Sequence, residues 1–114
     1  MSLTDKQIQD LIQTLHNSQA EFGDRHDAAM DLGAFHGAVV ELALAKIACD
    51  IDADEDMVDA CAESLAEIWC RQNSLNHEIL ARLTPVGSRV ALALLSLNAP
   101  ALALEASKPH LPTL

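Results

Sequence analysis

DEDMVDACAESLAEIWCR, residues 54–71, is the stretch in which the fold class of this chain is most plainly written. Within it Met57, Cys61, Leu65, Ile68 and Trp69 recur every three or four positions, the period of a helix and not the alternation of a strand. The segment from Asp50 to Asp54 supplies side chains that cap a helix start, and no Gly or Pro interrupts residues 54–71. An amphipathic helix with one apolar stripe must bury that stripe against neighbours, and the flanking sequence supplies them on both sides.

Upstream, Ala28, Leu32, Phe35, Val39, Leu42 and Ile47 mark one face of a long helix expected from Arg25 to Cys49. Gly23 and Asp24 separate it from a first helix, Asp5 to Glu21, with Ile8, Leu11, Ile12 and Leu15 at helical spacing and Thr4 with Gln7 in the form of a capping box. Downstream, Gln72, Asn73 and Ser74 break or bend the chain before Leu75, Ile79, Leu80 and Leu83 resume the pattern. Thr84-Pro85 then opens a helix expected from Pro85 to Asn98. Its apolar residues, Val90 to Leu95 with Leu97, surround it, which predicts a central helix or one buried at a subunit contact. With Pro100, Pro109 and Pro112 beyond, residues 100–114 read as an extended or disordered tail on a domain of residues 1–99. No internal repeat and no strand is expected. The fold predicted is all-α, an antiparallel bundle of four or five helices, as a homodimer.

Gly33 and Gly37 stand inside the expected long helix, where each glycine costs about 1 kcal/mol relative to alanine. Close approach of another helix is the reason this spacing suggests, and Leu92 and Leu95 on the last helix are expected to join such contacts. Half of the 114 residues are hydrophobic but only 3% are aromatic, so the core is built from Ala, Leu, Ile and Val and is modest in area per residue. A modest core favours a second chain.

Charge narrows the function classes. Seventeen acidic residues against seven basic ones give a net charge of −10, which repels a phosphate backbone and argues against direct nucleic-acid binding. Cys49, Cys61 and Cys70 are odd in number and lack Cys-x-x-Cys spacing, so they read as reduced thiols of a cytoplasmic protein. Met1 to Gln13 does not resemble a secretion leader, and no apolar run approaches the length of about 20 residues that a membrane span needs.

The strongest anomaly is a run of eight carboxylates between Asp50 and Glu67 with no Lys or Arg among them. Carboxylates are favourable at a helix start, which accounts for the first members. Glu63 and Glu67 lie beyond the reach of that effect. The functional expectation is an acidic face formed by Asp52, Asp54, Glu55, Asp56, Asp59, Glu63 and Glu67 and presented to a basic surface of a protein partner. Asp52, Asp54, Asp56 and Glu63 also fall at the ligand positions of a calcium loop resembling the EF-hand. Met57, however, stands where that loop needs glycine, and Met57, Cys61 and Leu65 already keep to the helical period. No metal and no cofactor is therefore expected.

The five histidines show no His-x-x-x-His or Glu-x-x-His pair, and His36, beside Phe35, reads as a structural histidine on an apolar face. No nucleophile motif or phosphate-binding glycine loop is present, and Cys61 and Cys70 fall on or near a buried stripe, so catalysis is not expected. The leading expectation is a small acidic regulatory or adaptor protein. Examples are an antiactivator sequestering a transcription regulator, an inhibitor of a nucleic-acid-binding protein, or a chaperone. The alternative is a helical bundle that binds a metal ion or small ligand.

Overall fold

The computed structural model describes residues 2–108 and contains seven helices and, among those residues, no strand. They are α1 (Leu3–His16), α2 (Phe22–Leu32), α3 (Ala38–Ala48), α4 (Glu55–Gln72), α5 (His77–Arg82), α6 (Pro85–Asn98) and α7 (Pro100–Ser107). The larger number, against four or five expected, has two sources: a break in the long helix, and helix where a tail was expected.

The centre of the fold is α4. Asp54 caps it by accepting from the Asp56 and Met57 backbone N–H groups at 2.9 and 3.3 Å. Asn73, left-handed at φ 54°, ends it. Small residues, Ala60, Ala62, Ser64 and Ala66, stand between the large ones, and all are buried together with Met57, Val58, Cys61, Leu65, Ile68 and Trp69. That alternation lets α2, α3 and α6 each pack against it. The central position expected for the last helix therefore belongs to α4. In α6 only Gly87, Ala91 and Leu95, at four-residue spacing, are fully buried; Leu92 is half-buried and Leu97 is 79% exposed.

The expected helix from Arg25 to Cys49 is two helices. α2 ends at Leu32, Gly33 forms its cap, and the chain turns through Gly37 at φ +106°, a conformation outside the ordinary range of L-residues. The apolar period runs through the break without registering it, because the chain resumes helix on a different face. Ala28 and Leu32 are buried, whereas Val39 and Leu42, which continue their spacing, are 66% and 61% exposed. In α3 the buried residues are Val40, Glu41, Ala43, Leu44, Ala45, Ile47 and Ala48, of which only Ile47 belongs to the expected stripe. The turn also corrects the reading of Gly37 as a helix contact: a Cβ there would meet nothing within 4 Å. His36 is likewise exposed in this turn and not set against an apolar face.

α1 begins two residues before the expected Asp5, capped reciprocally by Ser2 and Asp5 and not by Thr4 and Gln7, and it ends at His16 where Glu21 was expected. Its end is tied to other helices: Arg25 Nε of α2 donates to the Leu15 carbonyl at 3.0 Å, and its own His16 donates from Nε2 to the Ala43 carbonyl of α3 at 2.9 Å. α5 starts at the Asn76 cap, and Thr84 with Pro85 opens α6 as expected. From Pro100 the chain is helical where an extended tail was expected. Leu102 is buried, and His77 on α5 meets Glu105 on α7 at 2.8 Å, so this segment has its own contacts with the fold. The part of the expected tail from Pro109 to Leu114 lies outside the described residues.

Three polar links between residues that are both buried tie the helices to one another. Ser64 Oγ donates to the Ala29 carbonyl at 2.6 Å, joining α4 to α2. Trp69 Nε1 donates to Glu41 Oε1 at 2.6 Å, joining α4 to α3 around a buried carboxylate. The Thr84 N–H donates to the Ala48 carbonyl at 3.2 Å, joining the start of α6 to the end of α3. Among the described residues no buried side-chain nitrogen or oxygen lacks a hydrogen-bond partner. The polar side chains of the core thus satisfy their hydrogen bonds within the fold.

Candidate functional site

The acidic run divides into two parts with different local causes. Asp50 and Asp54 are occupied by the backbone: Asp50 Oδ1 accepts from the Asp52 N–H at 2.9 Å, and Asp54 is the helix cap. Asp52 lies in the preceding turn, and Glu55 and Asp56 occupy the first turn of α4, where free N–H groups and the helix dipole favour negative charge. Folding supplies a local cause for Asp50, Asp54, Glu55 and Asp56.

The second part is Asp59, Glu63 and Glu67, one turn apart along the outer side of α4. Asp59 and Glu63 are half-buried and Glu67 is exposed. The Glu63 carboxyl is pushed above its usual range, first by partial burial, then by Asp59, with Glu67 adding to the effect and His26 opposing it. Like charges at this spacing destabilise a helix by a few tenths of a kcal/mol per pair, so α4 keeps the column at a cost.

The column borders an open groove of about 560 Å³ lined by Met30, Glu63, Glu67, Cys70, Arg71, Leu94 and Asn98. Met30 comes from α2 and Leu94 from α6, so the groove is formed where those two helices flank α4. The cation at its edge is already engaged. Arg71 donates from Nη1 to the Gly33 carbonyl at 2.9 Å and from Nη2 to the Phe35 carbonyl at 2.6 Å, satisfying carbonyls left open where α2 ends. Its distance to Glu67, 4.0 Å, makes that ion pair the weaker contact.

Gly33 sits beneath this arrangement. A Cβ there would lie 2.9 Å from Ser64 Oγ and 2.9 Å from Glu67 Oε2, so the absence of a side chain lets α2 and α4 meet and lets Glu67 reach across. Leu95 faces the core and Leu92 is half-buried against it, so neither lines the groove; Leu94 does.

The three thiols lie in surroundings that disfavour their thiolate forms. Burial pushes the Cys61 thiol up to about 12, partial burial together with Glu67 raises Cys70, and burial outweighs Arg82 at Cys49, so all three remain protonated and weakly nucleophilic at neutral pH. Most positions of the calcium-loop pattern are taken by α4, which begins at Glu55, and Met57 points into the core. Among the described residues no group of three or more His, Cys, Asp or Glu side chains is placed to hold a metal ion. No helix among those residues is long and apolar enough to cross a membrane.

Met30, Leu94, Cys70 and Asn98 were not candidates from the sequence. Met30 falls outside the stripe of α2 and is 39% exposed, and an apolar residue off-stripe is the signal that marks it. Nothing in the spacing of Arg71 discloses its contact with the end of α2, which depends on where that helix stops. Compared with known protein families, with curated proteins and with solved structures, the chain matches none.

Proposed function

We propose that this chain is a small acidic regulatory or adaptor protein that binds a basic surface of another protein through the outer side of α4. The observation that carries this reading is the column Asp59, Glu63 and Glu67 beside a groove with exposed Met30, where the one Lys or Arg of the lining, Arg71, is directed to the end of α2. Uncompensated carboxylates next to accessible apolar surface suit a partner that brings both positive charge and apolar contact. Sequestration of a transcription regulator, inhibition of a nucleic-acid-binding protein and chaperoning of a client all meet that description. Three free cysteines agree with a cytoplasmic setting.

Affinity capture from the source cells with the wild-type chain and with the Glu63→Lys, Glu67→Lys double variant tests the proposal. The wild type is expected to retain a protein with a basic surface, and the folded double variant to associate with it about tenfold more slowly at low salt, the gap closing as salt rises. Equal association rates at low salt overturn it.

The proposal includes an antiparallel arrangement of the helices around α4 and a homodimer. Support for the dimer comes from Val39 and Leu42 on the outer side of α3 and from Leu97 and Leu104, all more than half exposed. Sedimentation at micromolar concentration checks it, and a monomer removes it. A second reading, a small ligand in the groove, is favoured by a volume within the range of small-molecule sites. Native mass spectrometry separates the two by showing either a bound chain or a bound small molecule.

A further inference from the structure

The groove beside α4 does not stop at Met30. A second open groove, of about 530 Å³, lies on the other side of Met30 and Glu67, which line both. Its apolar lining is Leu11 from α1 with Ala34 and Phe35 from the turn after α2. The two together make an extended trough crossing α2, with Met30 as the apolar residue shared between its halves.

The charge of this trough is one-sided. Asp10, Asp31, Glu63 and Glu67 line it, while among its lining residues the single Lys or Arg is Arg71, whose guanidinium is directed to the carbonyls at the end of α2. Asp10 has a surface partner in Lys6 at 3.2 Å, an exposed pair of little strength. Among the described residues there is no strand, so no sheet edge exists there for an extended peptide to join. Phe35 is the one aromatic residue of the lining, too few for the aromatic-walled slots that hold proline-rich segments.

We infer that the trough formed by the two grooves around Met30 receives an amphipathic helix of the partner, its apolar stripe over Met30, Leu94 and Phe35 and its Lys or Arg residues against Glu63, Glu67 and Asp31. Methionine suits this position because its flexible thioether adapts to the side chains laid over it. The inference rests on the proposed binding of a basic protein and specifies the element that docks and where.

The test uses the full chain labelled at its methionine methyls and three synthetic peptides. One peptide carries Leu at helical spacing with Lys on the opposite face; the second has the same composition scrambled so that no stripe forms; the third replaces Lys by Glu. The striped Leu/Lys peptide is expected to shift the Met30 methyl resonance while that of Met57, buried in the core, stays put. The other two peptides are expected to bind at least about tenfold more weakly, and Met30→Lys, a change at an exposed side chain, to weaken the striped peptide by about tenfold. Equal binding of the scrambled peptide, an unaffected Met30→Lys variant, or backbone shifts confined to the region from Asp52 to Asp59 overturns the trough while leaving an acidic face for a basic partner intact. Failure of both Lys-containing peptides to bind at low salt overturns both.

Discussion

Gly33 and Gly37 stand four residues apart, and by spacing alone they make the same demand. Their surroundings are opposite. At Gly33 the backbone is ordinary, φ −62°, and the constraint is space: Ser64 Oγ and Glu67 Oε2 lie where a side chain would begin. At Gly37 there is open space, and the constraint is the dihedral angle, φ +106°. One glycine allows two helices to touch, and the other allows one helix to end and a new one to start in another direction. A helical period therefore identifies which residues are apolar, and does not report whether the backbone remains helical between them.

Substitution by alanine of either hand separates the two constraints. Gly33→Ala is expected to cost about 3 kcal/mol, the upper end of overpacking, because Ser64 is fully buried and fixed by its bond to the Ala29 carbonyl. Chemical denaturation measures the loss. The same change in a Ser64→Ala background should cost less, since the obstructing oxygen is gone. An equal cost in both backgrounds would place the conflict elsewhere, at Glu67 or at the Met30 carbonyl, which a Cβ would approach to 3.2 Å.

Gly37→Ala is expected to cost less, about 1 to 2 kcal/mol, through backbone strain alone. A chain assembled by chemical ligation with D-alanine at position 37 should recover that loss, because the mirror-image residue takes φ +106° without strain. D-Alanine at position 33 should not recover stability, since the backbone there is right-handed. If D-alanine fails to rescue position 37, the turn is held by something other than its dihedral angle.

These two positions also show how much the sequence disclosed. The all-helical class, the start of α4 near Asp54, the Thr84-Pro85 opening of α6 and the weak point near Asn73 were legible because each rests on local chemistry: a period, a cap, a proline. The break at Gly37 was not, since Val39 and Leu42 keep the spacing of Ala28 and Leu32 while facing solvent. Nor was the central place of α4 over α6, which depends on small residues admitting neighbours on three sides. Of the site, Asp59, Glu63 and Glu67 were visible as charge without compensation. Met30 carried only the faint signal of an apolar residue off the stripe of α2, and Leu94 none, because both line a groove through the way α2 and α6 flank α4, a tertiary fact. Trp69 with Glu41 was hidden for the same reason: an acid at position 41 reads as polar surface until its indole partner arrives from another helix.

The smallest effect concerns the groove above Gly33, where Glu63 adds charge that the fold does not require. Because its carboxyl is raised in the folded protein, the native state binds a proton more readily than the unfolded chain. Between the ordinary glutamate value and the raised one, stability therefore falls as pH rises, and above that window the penalty is constant. Glu63→Gln removes the charge, so the variant should melt slightly higher than wild type at about pH 7, and the gap should close near pH 3.5, where the wild-type carboxyl is protonated in both states. The gain is small because the group is only partly buried, so that water screens Asp59 and Glu67, and because His26 offsets part of their repulsion. Thermal melts of both proteins across this range decide the matter. A variant less stable than wild type at neutral pH would mean that the ionised Glu63 carboxylate makes a favourable contact within the fold. A variant that gains stability and loses affinity for the Leu/Lys peptide would assign Glu63 to recognition, on the same helix that Asp54 caps.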